Sequence, residues 1–328
     1  LLFQQYQNLR DEIRKGAGRL VGESREMCAI REEIDRVAGS DCTVLLTGET
    51  GTGKDLIARE IHDRSGRRDN MFVNVGCDIP RELAESELFG HERGAFTGAA
   101  ARRRGLFALS DRGTLFLNDI AKLPKEVQGK LLRAVEEGTI RPVGSGNYIP
   151  VDFRLIAATS RDLEAAVRDG EFLEDLYFRL KVVHIHVPPL RERLDDVPPL
   201  GAHFLDEMTG KMNRPRCRLS WQAMERLRGY HWPGNVRELK NTLENALVHW
   251  DGEVLGEELF LGLPGSAADR ESFKARLNRL FREIEKREIL LVLRECKFNV
   301  AEAARRTGFT REGLRKKMKR LGITRPDS

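Results

Sequence analysis

The chain has 328 residues, 33% charged and 40% hydrophobic, with a formal net charge of +5, a length that holds two or three domains. No apolar run approaches the roughly 18 residues of a membrane span, and the opening LLFQQYQNLR lacks the basic-then-apolar order of a signal peptide, so no membrane partner is expected. The five cysteines (Cys28, Cys42, Cys77, Cys217, Cys296) are odd in number and lack metal-ligand spacing, which predicts free thiols in a reducing cytoplasm.

In chain order, Leu2, Tyr6, Leu9 and Ile13 fall at helical spacing, and a start inside such a pattern is what an upstream sensory domain would leave. Residues 20–38 read as a linker followed by a helix. Strand-like runs recur at 43–47, 71–75, 114–118, 153–158 and 182–187. Helical patterns separate them at 54–63, 80–88, 123–137 and 161–168. This alternation predicts an α/β fold: a parallel sheet with helices on both faces. Past Pro188-Pro189, short helices are expected at 196–209, 220–229, 235–250 and 255–260, with a turn at Pro233-Gly234. They read as a small helical lid. Residues 262–270, GLPGSAADR, form the best linker candidate, followed by a helix at 271–295 and two short helices. Phe273, Leu277, Leu280, Ile284 and Leu291 make a stripe suited to pairing two chains.

Charge divides the chain unevenly. Residues 271–328 hold 17 Lys/Arg against 8 Asp/Glu, and the remainder 39 against 43. A basic C-terminal segment on a near-neutral body predicts an acidic polymer as partner, most simply double-stranded DNA.

The stretch VLLTGETGTGKD, residues 44–55, carries the first specific chemistry. A short apolar strand, a loop with Gly48, Gly51 and Gly53, then Lys54 and a helix is a phosphate-binding loop in its expected context. Backbone N–H groups of Gly48, Glu49, Thr50, Gly51, Thr52 and Gly53 can close on phosphate oxygens, and Lys54 adds a point charge at a helix N-terminus. ATP with Mg²⁺ is the expected ligand pair. The position that usually holds Ser or Thr near the metal is Asp55. The strand TLFLND, 114–119, ends in Asn118 and Asp119, placed where such ATPases hold Mg²⁺ and position water. Asp119 is its single carboxylate.

ESELFGHERGAFTGA, residues 85–99, together with LVGES (20–24), GTLFL (113–117), PPLRER (188–193) and WPGNVRELKN (232–241), resembles the bacterial enhancer-binding proteins, the AAA+ ATPases that activate sigma-54 RNA polymerase. The resemblance covers about residues 20 to 325. It implies an AAA+ α/β subdomain over 20–188 and a helical lid over 189–261. The linker would span 262–270 and a Fis-like DNA-binding domain 271–328, with 1–19 as a helical linker in front. It also implies assembly from dimer to hexameric ring, with nucleotide shared between subunits. Gly94, Ala95, Phe96, Thr97, Gly98 and Ala99 would be the loop that touches sigma-54. Arg237 would be the lid arginine that reaches nucleotide, and Arg179 one of two arginines that cross to the neighbouring subunit. In the C-terminal helix-turn-helix, Arg311, Arg315, Lys316 and Lys319 would face DNA.

Several positions depart from the family pattern, and all surround hydrolysis. Asn118-Asp119 stands for an Asp-Glu pair, and Gly76 for an Asn that restrains the catalytic Glu. Ser160 stands for the sensor Asn, and Leu173 for the first crossing arginine. Two functions are therefore expected in competition: an ATP-driven sigma-54-dependent regulator, and a nucleotide-gated DNA-binding switch with little hydrolysis. A general AAA+ unfoldase would leave the DNA-binding end unexplained.

Overall fold

The computed structural model describes residues 20–96, 98–263, 288–293, 295–296, 298–321 and 323. The expected helix at 1–16, Thr97, most of the 262–270 linker, much of the 271–295 helix, and the side chains of Arg315 and Lys319 lie outside the described residues. The chain divides into two compact units, Leu1–Gly262 and Leu263–Ser328.

In the larger unit, five parallel strands form one sheet. They are β1 (Val44–Thr47), β2 (Phe72–Gly76), β3 (Thr114–Asn118), β4 (Arg154–Thr159) and β5 (Val183–His186), in the order β2-β3-β4-β1-β5. β4 is buried at all six positions, which is why its apolar run is continuous: parallel strands are covered on both faces. β2, at an edge, alternates instead. Leu45, Leu115, Leu117, Leu155 and Ala157 point into one core. Val44, Leu46, Phe116, Ile156 and Ala158 point into the other, the two-residue period of a strand written across the sheet.

Helices α1 (Arg25–Ala38) and α2 (Lys54–Asp63) cover one face, through Ile30, Ile34, Ile57 and Ile61. The other face is covered by α3 (Arg81–Phe89), α4 (Lys125–Glu137), α5 (Leu163–Arg168) and α6 (Glu174–Leu180). The lid is α7 (Val197–Lys211), α8 (Trp221–Arg228) and α9 (Asn235–Val248). Ser220 caps α8 by accepting from the Ala223 N–H at 3.1 Å.

The expected helix at 255–260 is instead a two-residue strand, Val254–Leu255, parallel to Arg218–Leu219, and then a 3-10 turn, Glu257–Phe260. Two short antiparallel pairings were also unexpected: Gly90–His91 with Arg103–Arg104, and Thr139–Ile140 with Ile149–Pro150. Two-residue strands have no period to read.

In the smaller unit, α10 (Val300–Thr307) packs on α11 (Arg311–Arg320). Asn299 Oδ1 accepts from the Ala301 and Glu302 N–H groups to cap α10, and Gly308, at φ +72°, ends it. Leu293, Ala303, Ala304 and Leu314 form its core, with Met318 against it.

Candidate nucleotide pocket and DNA-facing helix

In an open parallel sheet, ligands sit beyond the carboxyl ends of the strands. Here the 48–54 loop leaves β1, Asn118 and Asp119 leave β3, and Ser160 leaves β4. The loop's shape is fixed by close backbone approaches. Gly48 stands at φ +146° and Gly51 at φ +81°, where a Cβ would lie 2.4 Å from the Val187 and Gly234 carbonyl oxygens respectively. Neither position accepts another residue.

Lys54 opens α2 and is buried, 6% exposed. Its ammonium donates to the Gly48 and Glu49 carbonyls at 2.8 and 2.9 Å. It makes no ion pair among the described residues. Burial pushes it below the ordinary lysine value, against the pull of Asp119 and Asp55. A pocket of about 380 Å³ opens beside it. Lys54, Asp55, Asn118, Asp119 and Arg237 line it, with Phe204 on the lid side. Arg237 is positioned by its own backbone N–H, which donates to the Gly51 carbonyl at 3.3 Å.

The loop is latched to the start of the lid. Arg191 grips the Glu49 carboxylate at 2.7 and 2.9 Å. Asn235, fully buried, donates to Glu49 at 3.1 Å and to the Thr50 carbonyl at 3.0 Å, while its Oδ1 accepts from the Leu190 N–H. The Arg191 hydrogen bond first, then that of Asn235, hold the Glu49 carboxyl at about 2. Beneath the loop, Arg193 donates to the Thr52 carbonyl at 2.7 Å and faces Asp196 at 3.7 Å. Asp196 accepts from the Glu23 and Ser24 N–H groups at 2.7 and 2.8 Å, which sets Leu20 and Val21 against the pocket. Sequence reasoning missed Asn235, Arg191, Arg193, Asp196 and Phe204 as site builders. The usable signal was two arginines and two aspartates in nine residues after Pro188, in a segment otherwise needed only as a connection.

The donor set fits a nucleotide and a hard cation. A buried lysine with no ion pair among the described residues lines the pocket, and the volume beside Gly53 is open, with nothing within 4 Å of a notional Cβ. Mg²⁺ takes one or two carboxylates plus phosphate oxygens, and Asp55 and Asp119 both line the pocket. Desolvation pushes the Asp55 carboxyl above its ordinary range, opposed by Lys54 and Arg237. Asn118 donates its amide to Asp55 at 3.1 Å.

Of the substituted positions, Asn118 and Asp119 line the pocket, while Gly76, Ser160 and Leu173 are not among its lining residues. Gly76 is in register with Asn118, and the space where a side chain would stand is open. Ser160 is exposed just past β4. Leu173 packs partly buried against the larger core at the head of α6. Arg179, exposed on α6, makes no ion pair among the described residues, beside Phe178 at 64% exposure. The pocket thus brings Asp119 and Arg237 together, while Arg179 is not among the pocket's lining residues.

The 94–99 turn is closed by the Gly94 N–H on the Ala99 carbonyl at 2.9 Å and the Ala99 N–H on the Phe96 carbonyl at 3.0 Å. Phe96 stays 41% exposed, its ring edge-on to His91 at 5.0 Å. In the smaller unit, Arg311 and Lys316 are exposed on α11, Lys316 pairing with Glu312 at 3.2 Å.

Comparison with known proteins finds matches over most of the chain. Residues 20–186 match the sigma-54 interaction domain, 191–272 an AAA+ ATPase lid domain, and 280–325 the Fis family of bacterial regulatory proteins. The response regulator protein PilR of Pseudomonas aeruginosa is 42% identical over 93% of this chain and 70% of its own length. The transcriptional regulatory protein ZraR of Klebsiella oxytoca is 46% identical over 92% and 68%. The formate hydrogenlyase transcriptional activator FhlA of Escherichia coli is 43% identical over 98% of this chain, which spans only 46% of it. NtrX of Brucella abortus, solved with ADP and with ATP, covers 98% of this chain at TM-score 0.71 in both, with 32% and 31% identity over 73% and 74% of its own chain.

Proposed function

This chain belongs to the sigma-54-dependent transcriptional activators, with an AAA+ domain and a Fis-type helix-turn-helix, and from that premise we propose that it binds ATP in the pocket between sheet and lid. One observation carries the reading: a buried lysine whose partners are two backbone carbonyls, at the mouth of a pocket shared with Arg237. A buried cation with no ion-pair partner in contact is costly, and phosphate oxygens supply that contact.

In this reading Lys54 and the 48–53 N–H groups hold the outer phosphates, and Arg237 closes the lid on them. Asp55 and Asp119 are the carboxylates that would hold Mg²⁺, which would neutralise charge on the phosphates. The exposed Arg179 completes a neighbouring subunit's site in a homo-oligomer, from dimer to hexameric ring. Phe96 and Thr97 of the 94–99 loop engage sigma-54 RNA polymerase. Arg311, Arg315, Lys316 and Lys319 contact double-stranded DNA. The protein acts in the cytoplasm, and among the described residues no helix is long and apolar enough to cross a membrane.

A fluorescent ATP analogue should bind the chain, and Lys54→Ala should weaken it by about 10²-fold, the scale of one or two charge-assisted hydrogen bonds. Equal binding by both proteins would sink the reading. A second reading, a nucleotide-gated DNA switch with little hydrolysis, is favoured by the Asn118 amide on Asp55, which puts a neutral group where the metal wants charge.

A further inference from the structure

Asp119 is held in a way that the phosphate-binding reading does not use. It stands just past β3 with φ +57°, a left-handed backbone that Asp tolerates better than most residues. It begins a 3-10 turn, Ile120–Lys122, closed by the Lys122 N–H on the Asp119 carbonyl at 2.9 Å. That turn brings the Lys122 ammonium back to 3.3 Å from the Asp119 carboxylate. The same ammonium reaches Asp78, past the end of β2, also at 3.3 Å. Three side chains from two strand ends therefore form one bridge, Asp78–Lys122–Asp119.

Asp119 lines the pocket, and Lys122 is not among the lining residues. Next to it Gly76, in register with Asn118, contributes no side chain. Among the described residues no hydrogen bond or ion pair joins a β2 side chain to the Asp119 carboxylate, whose ion pair is with Lys122. Lys122 is 45% exposed and Asp78 85% exposed on their side chains. Ion pairs this exposed are weak and screened by salt, so a bound metal can outcompete them. A strong, buried pair could not be released in this way.

We propose that Lys122 is a positioning residue that restrains Asp119, holding its carboxylate in the Asp78–Lys122–Asp119 bridge until metal and nucleotide draw it into the pocket. The inference rests on the ATP reading above and adds to it a built-in restraint carried by charge. Lys122 touches neither phosphate nor metal. It acts only through Asp119.

The test compares the full chain with Lys122→Met, which keeps the stem and removes the charge, and Lys122→Arg, which keeps the charge. The readout is the affinity for a fluorescent ATP analogue with and without Mg²⁺, so it does not depend on turnover. Releasing one exposed ion pair is worth about two- to fivefold. Lys122→Met should strengthen Mg²⁺-dependent binding by that factor and leave metal-free binding unchanged. Lys122→Arg should behave as wild type. Where phosphate release is measurable, kcat should rise in Lys122→Met with KM falling no further than the affinity does. Mg²⁺-dependent affinity that is unchanged or weaker in Lys122→Met overturns the restraint and leaves the ATP reading standing. A wild-type chain that binds no analogue overturns both.

Discussion

On the phosphate side of the pocket, Lys54, Thr52, Arg193 and Asn235 are all buried, and each is tied to backbone. On the hydrolytic side, Asn118 and Asp119 are partly exposed, Ser160 is exposed, and Gly76 has no side chain. The first set is part of the fold's own hydrogen bonding, so the chain cannot lose it without losing stability. The second set hangs on strand ends and can be substituted at little structural cost. In the proposed function, nucleotide binding and nucleotide turnover should therefore be separable, and this chain's departures from the family pattern fall on the turnover side.

The largest effect should come from rebuilding the hydrolytic half. Asn118→Asp, Asp119→Glu and Leu173→Arg together should raise phosphate release by about 10³-fold, the scale of a missing arginine alone. Each alone should do little, because groups acting as a unit are non-additive. Leu173 is partly buried against the core, so its replacement should also cost about 1 kcal/mol of stability. A wild-type rate near the ~1 s⁻¹ of ordinary enzymes would break the comparison, since the substituted half would then be working.

Next in size is damage to the phosphate half's support. Asp196 is fully buried and faces Arg193, itself 3% exposed. Asp196→Ala leaves that guanidinium without its counter-charge and should cost about 3–5 kcal/mol in urea unfolding. Gly76→Asn, placed in open space, should stay within about 0.5 kcal/mol of wild type in the same assay. Similar costs for the two variants would erase the distinction.

DNA binding belongs to neither half and should follow the C-terminal helices alone. Arg311→Ala with Lys316→Ala should weaken binding to duplex DNA uniformly across sequences. It should also flatten the salt dependence by about one unit of slope for each phosphate that the variant no longer neutralises. The Asn118, Asp119 and Leu173 variants should leave anisotropy titrations unchanged.

The smallest effect concerns acid. The Glu49 carboxyl lies at about 2 against an ordinary 4.5. Its folded value is depressed, so the latch's contribution is complete above about pH 4.5 and is lost as pH falls through about 2. The Glu49 side chain is 43% exposed, so solvent screening keeps the contribution below about 1 kcal/mol. Glu49→Gln should remove this component from an acid titration followed by circular dichroism. A larger loss in the variant near pH 7 would mean that the latch holds the lid by more than charge.

The sequence by itself determined the sheet and the phosphate loop. Four- to six-residue apolar runs, helices with a 3.6-residue period and a Gly-Gly-Gly-Lys spacing are local signals, and β1 to β5 lie within a residue or so of the runs that announced them. It also announced two short helices near the C-terminal end, which the family resemblance reads as a helix-turn-helix. Only the tertiary structure decided what surrounds the pocket. Asn235 reaches Glu49 across 186 positions, Asp196 reaches Ser24 across 172, and Lys122 reaches Asp78 across 44. No periodicity joins residues so far apart. They meet because parallel strands need long crossovers, which deliver distant loops to the same edge of the sheet.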